Sequence, residues 1–255
     1  LHSQRQSVQM AGVSDRGVVR SHNEDAIAWM EGCGVALLAD GMGGHNAGEV
    51  ASAMAVDTIG AALQRVWPEL ASVDGAACAA ELRSAVAEAN RRIVAHAGAD
   101  PACRGMGTTV ETLLLRNEEA LIAHVGDSRS YRWRDGELLR LTRDHSWLQE
   151  LIDSGMVAAD DPAPPVGRNR ITRALGMEGA VGCDIERVDA APGDLFLLCS
   201  DGLTDLLSER RLATLLTEAR GPLQAVAESL VAEANWLGGD DNVSVVLAQL
   251  AHRSG

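Results

Sequence analysis

The sequence predicts an α+β fold with mainly antiparallel sheets, on three observations. Short apolar, β-branched runs recur at about 8–13, 26–30, 34–39, 108–115, 119–125, 129–134, 137–142, 182–189, 195–199 and 243–250, too many strands for a helix bundle. Several are separated by turn signals such as Asp135-Gly136, a pair that suits tight hairpins. Helical stretches come in blocks and do not alternate one for one with the strands, which argues against a doubly wound parallel sheet.

Each helix rests on its own spacing. Ala47, Val50, Ala51, Met54, Thr58 and Ala62 recur at three- and four-residue intervals, as do Leu82, Val86, Ala89 and Ile93, and then Leu223, Val226, Ala227, Leu230, Val231 and Ala234. Pro222 is expected in the first turn of the last of these. A shorter helix is expected near 146–154, with Trp147, Leu148, Leu151 and Ile152 as its buried face. Two sheets packed face to face and covered outside by helices would bury all these apolar surfaces; composition does not tell that layering from a single sheet with helices on one side.

With 255 residues the chain can bury a core without disulfide or metal staples, and it is read as one domain spanning 1–255. Acidic residues outnumber basic ones 36 to 22, a formal charge of −14 that disfavours nucleic acid as a partner. All 22 basic residues are arginine, which excludes a P-loop or Schiff-base lysine. Cys33, Cys78, Cys103, Cys183 and Cys199 form no C-x-x-C pair, and none is followed by Arg six positions on, as a cysteine-nucleophile phosphate loop would need. No apolar run approaches the roughly 18 residues of a membrane span, and the amino end shows no basic-then-apolar signal pattern. A cytoplasmic protein with reduced thiols is expected.

Aspartates stand repeatedly at strand ends: Asp25 after the Arg20-x-x-Asn23-Glu24 turn, Asp40 after Val35–Ala39, Asp127 after Leu121–Val125, Asp201 after Leu195–Cys199, and Asp241 before the final strand. Any one of them is an ordinary turn residue. Five carboxylates gathered at one rim would repel one another unless cations neutralise them, and an all-oxygen set selects hard ions such as Mg2+ or Mn2+. The loop Asp40-Gly41-Met42-Gly43-Gly44-His45-Asn46 follows a strand and opens a helix, where a dinucleotide motif would lie, but its glycine spacing is wrong for one. Close approach of backbone to an ion uses the same glycines better.

Taken together, these segments resemble the metal-dependent protein serine/threonine phosphatases of type 2C in their compact bacterial form. The matching motifs, in family order, are Ser14–Asp25, Ala39–Gly44, Gly107-Thr108-Thr109, Val125–Tyr131, Ile171–Gly176, Cys199–Leu203 and Asp240–Ser244. The resemblance implies a four-layer α-β-β-α sandwich that hydrolyses phosphoserine and phosphothreonine in proteins with two Mn2+ or Mg2+ ions. It also implies a bacterial Ser/Thr kinase pathway as the opposing partner; a monomer is expected, with no nucleic-acid partner and no membrane span. Carried over by position, Asp40 bridges both ions, Glu24 and the Gly41 carbonyl complete the second site, Asp201 and Asp241 hold the first, and Asp25 acts through bound waters. Asp127 with Asp201 holds a third ion. Arg20 clamps phosphate oxygens with its planar fork. A non-catalytic phosphoprotein-binding relative is the alternative; Asp40, Asp201, Asp241 and Arg20, all present, favour catalysis.

Two departures from the family pattern stand out. Some members place a His directly after the Asp-Gly of the second motif as general acid; here that residue is Met42, with His45 three positions on. The segment from about 145 to 170, centred on Asp160-Asp161-Pro162-Ala163-Pro164-Pro165, corresponds to the family's variable flap beside the active site and is expected to contact substrate.

Overall fold

The computed structural model describes residues 7–43, 47–70, 73–116, 118–158, 170–177 and 179–251. Among these, the chain begins with β1 (Val8–Asp15), β2 (Asp25–Met30) and β3 (Val35–Met42), followed by two long helices, α1 (Ala47–Leu70) and α2 (Gly75–Ala99). The strands β4 (Gly107–Thr108), β5 (Val110–Arg116), β6 (Glu119–Val125), β7 (Arg129–Arg134) and β8 (Glu137–Arg140) come next, then α3 (Trp147–Asp153). The order closes with β9 (Asp184–Asp189), β10 (Leu195–Cys199), α4 (Asp201–Thr204), α5 (Glu209–Glu218), α6 (Leu223–Trp236) and β11 (Val243–Leu250). One sheet runs β1-β11-β10-β7-β8, the other β2-β3-β5-β6-β9 with β4 paired to β3. Every pairing is antiparallel.

Strand alternation builds the layers. On β3, Val35, Leu37 and Ala39 point to the outer helices and join Ala51, Ile59 and Leu63 of α1 and Leu82, Val86 and Ile93 of α2. The residues between them, Ala36 and Leu38, face the other way and meet Leu113, Ile122, Phe196, Leu198 and Val246 between the two sheets. The second sheet repeats the pattern, with Leu197, Val245 and Leu247 packed under Leu212, Leu230 and Ala234 of α5 and α6. Because successive strand side chains alternate between faces, unbroken apolar runs mean strands covered on both sides. The result is a four-layer α-β-β-α sandwich. No helix among the described residues is long and apolar enough to cross a membrane.

Several boundaries differ from the sequence reading for identifiable reasons. The expected strand 108–115 is broken at Thr109, whose N–H donates to the Asp40 carbonyl at 2.9 Å while Thr108 exchanges bonds with Leu175. The strand expected over 137–142 stops at Arg140, since the Ser130 N–H is taken by the Thr142 hydroxyl at 3.0 Å. Pro222 lies one residue outside the last helix, as its extended N-cap, and not within the first turn. In α3 no residue is fully buried, so Trp147, Leu148, Leu151 and Ile152 are half-covered on a surface helix. Asp135-Gly136 forms the expected hairpin turn, both residues at positive φ (51° and 89°). Residues 159–169, the Pro-rich centre of the expected flap, lie outside the described residues.

The layer between the sheets sets the spacing of the two rims that carry the conspicuous aspartates. Leu198→Ala, at a side chain only 1% exposed in that layer, should lower unfolding stability by about 2–5 kcal/mol through lost burial and a residual cavity. The check is the urea midpoint of the chelated protein, with an unchanged denaturant slope showing that compactness is retained.

Candidate metal centre

The site forms where the two sheets end at the same rim. Pairing of β2 with β3 sets Asp25 directly opposite Asp40. Like charges facing each other across an antiparallel pair are destabilising. From the other sheet come Asp201, the first residue of α4 directly after β10, and Asp241, two residues before β11. They are neighbours because β10 and β11 pair and the Ser200 N–H continues the ladder to the Ser244 carbonyl at 3.1 Å. Gly202 allows α4 to start there, since a Cβ on it would fall 2.1 Å from the Asn242 carbonyl oxygen.

The electrostatics show that these groups converge. Burial pushes the Asp40 carboxyl well above the usual range, and the charges of Asp25, Asp201, Asp127 and Asp241 push it further. Asp201 is raised to about 8 by burial and then by Asp127, Asp205, Asp241 and Asp25. Asp25 is raised to about 6, again by burial first; the Ser244 and Ser200 hydroxyls offset part of this, yet neither closes a hydrogen bond of ordinary geometry. Both Asp25 oxygens are buried with no hydrogen-bond partner among the described residues, and so is one oxygen of Asp127. Buried carboxylate oxygens without partners are rare and costly. A rim of such groups, all oxygen donors, fits hard divalent cations.

Asp127 follows β6, is 8% exposed, and has its carboxyl raised to about 7 by burial and by Asp144. It lines a pocket with Asp144, Ser146, Leu148, Asp201 and Asp205. This is not a solvent-facing hairpin residue. Glu24 sits at the entrance to β2, its carboxyl raised by burial against the opposing pull of Arg20. Gly41 is a close-approach glycine: a Cβ there would lie 2.2 Å from the Gly48 carbonyl oxygen and 2.5 Å from that of Glu24. Arg20 is half-exposed and donates from Nη2 to Asp241 Oδ2 at 2.7 Å. Met42 pairs with Gly107 on β4, and His45 lies outside the described residues.

The structure adds residues whose roles could not be read from sequence. Asn242 staples the loop that carries Arg20 and Glu24: its Oδ1 accepts from the Glu24 N–H at 2.8 Å, and its Nδ2 donates to the carbonyls of Arg16 at 2.9 Å and His22 at 2.8 Å. Thr108 and Thr109 hold the backbone of Asp40, Thr108 donating to its carbonyl and Thr109 accepting from its N–H, both at 2.9 Å. Glu111 is fully buried against His124 and accepts from the Ser130 hydroxyl at 2.5 Å. His145 exchanges hydrogen bonds with Gly126, accepting at Nδ1 (3.0 Å) and donating from its N–H (2.7 Å), which fixes the turn before Asp127. The signal for Asn242 was its place beside Asp241, but its partners lie more than 200 positions away in sequence.

Comparison with known proteins agrees with this geometry. The Protein phosphatase 2C family matches residues 16–237. The serine/threonine phosphatase stp of Listeria welshimeri serovar 6b is 38% identical over 240 residues, covering 92% of this chain and 93% of that protein. The crystal structure of the Mycobacterium tuberculosis serine/threonine phosphatase PstP/Ppp superposes with a TM-score of 0.85 at 37% identity, over 96% of this chain and all of that one. The catalytic domain of PstP in complex with two manganese ions gives 0.83 at 34% identity, over 96% and 99% of the two chains. An acidic rim on an α-β-β-α sandwich, matched along nearly its whole length by such relatives, means that the chain belongs to the protein phosphatase 2C family.

Proposed function

We propose that this protein is a metal-dependent phosphoric monoester hydrolase that removes phosphate from phosphoserine and phosphothreonine in proteins. The observation that carries this reading is the set of carboxylates converging at one rim, with buried oxygens of Asp25 and Asp127 left without hydrogen-bond partners among the described residues. Family membership supports the substrate class, since the relatives are named serine/threonine phosphatases. The setting we infer is a single catalytic unit over 1–255, a monomer working in the cytoplasm of a bacterium against a Ser/Thr kinase.

Asp40, Asp25, Glu24, the Gly41 carbonyl, Asp201 and Asp241 would hold two ions, Mn2+ or Mg2+, and Asp127 with Asp201 would hold a third. When bound, the ions supply a water nucleophilic at neutral pH and neutralise charge on the phosphoryl oxygens. The chain itself binds and orients. Arg20 commits Nη2 to Asp241 and, among the described residues, meets no other acceptor, so its remaining guanidinium N–H groups would reach phosphate oxygens as a fork that a lysine ammonium cannot reproduce. Asn242 keeps Arg20 and Glu24 on one loop of fixed shape, so that phosphate clamp and metal ligands move together. The Thr108 and Thr109 bonds hold Asp40 by its backbone, leaving its carboxylate free.

The direct test is Mn2+-dependent release of phosphate from p-nitrophenyl phosphate and from a phosphothreonine peptide. Activity should vanish in chelator and return with Mn2+, and Asp40→Asn should lower kcat by about 10²–10³-fold, the size of losing one charge-stabilising group; full turnover after exhaustive chelation overturns the reading. Arg20→Lys should raise KM about tenfold with a smaller change in kcat, while unchanged kinetics would take Arg20 off the phosphate.

The raised carboxyls also predict how the chelated protein responds to pH. Asp25, Asp127 and Asp201 have folded-state values of about 6, 7 and 8, above the ordinary carboxylate range of the unfolded chain. The folded state therefore holds more protons between about pH 4 and 8, and stability falls as pH rises through that window. The melting temperature in chelator should decrease from pH 5.5 to pH 8, and saturating Mn2+ should abolish or reverse the slope.

A further inference from the structure

Away from the acidic rim, the end of α2 brings together three side chains of different ligand chemistry. His96 lies in the last turn of the helix, and Asp100 follows it at helical spacing as the C-cap, its N–H donating to the His96 carbonyl at 2.9 Å. Residues i and i+4 of a helix share a face. The chain then makes a tight turn over Pro101–Cys103, with the Cys103 N–H donating to the Asp100 carbonyl at 3.0 Å, which returns Cys103 to the same side. One ligand atom from each of His96, Asp100 and Cys103 lies within 4.8 Å of the other two.

The division of labour within the cluster is specific. Asp100 Oδ1 accepts from the Ala102 N–H at 2.9 Å, which fixes the carboxylate and leaves Oδ2 facing the Cys103 Sγ at 3.9 Å. Two ligands of one tetrahedral zinc ion, at about 2.3 Å for sulfur and about 2.0–2.2 Å for oxygen, stand about 3.5 Å apart. A small rotation of either side chain closes that difference. Cys103 is 7% exposed and packs into the layer beneath α1 and α2, whereas His96 and Asp100 face solvent. An ion would enter from outside, with the sulfur as floor, imidazole and carboxylate as walls, and water in the fourth position.

We propose that His96, Asp100 and Cys103 form a second metal site that takes a borderline divalent ion, Zn2+, in preference to the hard ions suited to the carboxylate rim. Thiolate and imidazole favour zinc over magnesium and manganese, whereas the rim offers only oxygen. The two sites thus differ in the ion they select, and this one stands independently of the function read from the other. It ties the C-terminal end of α2 to the short connection that enters β4: the Cys103 carbonyl accepts from the Met106 N–H at 3.1 Å, and Thr108, two residues further, holds the Asp40 backbone. An ion here clamps that connection.

The experiment is a Co2+ titration of the reduced full chain with Mg2+ saturating the oxygen sites, read by absorption. Expected is a thiolate-to-cobalt charge-transfer band that saturates at one equivalent and is displaced by Zn2+, together with a rise in melting temperature on adding Zn2+. The oxygen rim cannot produce such a band. Cys103→Ala should abolish it, and His96→Gln, a change at an exposed position that leaves folding intact, should weaken Co2+ binding about tenfold or more. The proposal is overturned if no thiolate band appears, if the band survives in Cys103→Ala, or if His96→Gln binds Co2+ as tightly as the unaltered chain.

Discussion

Repulsion between Asp25 and Asp40, set face to face by antiparallel pairing, is the constraint on which the acidic end of this molecule depends. A strand pair does not hold two half-buried carboxylates opposite each other unless something else fixes the strands. Here two apolar layers do so. Leu37 packs against the outer helices and Leu38 against the facing sheet, so β3 is gripped on both faces up to the residues before Asp40. Protonation or neutralising cations relieve the acids of this repulsion, and burial together with the neighbouring charges pushes the carboxyls of Asp40 and Asp201 upward, toward the first.

The distribution of arginine supports the same view. Several carboxylates elsewhere are paired: Asp194 with Arg134 at 2.6 Å, Asp144 with Arg129 at 2.7 Å, Asp189 with Arg132 at 3.0 Å. Among the described residues, Asp25, Asp40, Asp127 and Asp201 form no ion pair with any arginine, and Asp241 alone at the rim is met by one, Arg20. Meanwhile neutral groups, Asn242, Thr108 and Thr109, take over the work of holding backbone in place. Orientation and charge are thus supplied by different residues, and the carboxylates keep their lone pairs free.

The same separation runs between the two ends of the chain segment from α2 to β4. At one end a thiol, an imidazole and a carboxylate share a helix terminus; at the other, hydroxyls secure Asp40. Only a few residues of backbone lie between, and they are themselves hydrogen-bonded. Softness of the donor atoms, rather than charge alone, distinguishes what each end can bind.

Much of this was legible in the residues alone. Apolar runs with no polar face, such as Val35–Ala39, require strands covered on both sides, and aspartates following such runs must lie at strand ends, because that is where the run stops. The family motifs named the same acids. Unbroken apolar runs state that two faces are buried but not what buries each, so the placing of a second sheet on one face and helices on the other fell to tertiary contacts. The break at Thr109 and the early end of β8 were equally hidden, since both arise when a distant or side-chain group captures a backbone partner. Asn242 could be seen beside Asp241, yet its work is done on Arg16, His22 and Glu24 at the opposite end of the chain. Local sequence determined which groups carry charge and where strands can run; only the folded chain decided which charges meet, because electrostatic coupling depends on distance through space, and pairing of strands far apart in sequence sets that distance.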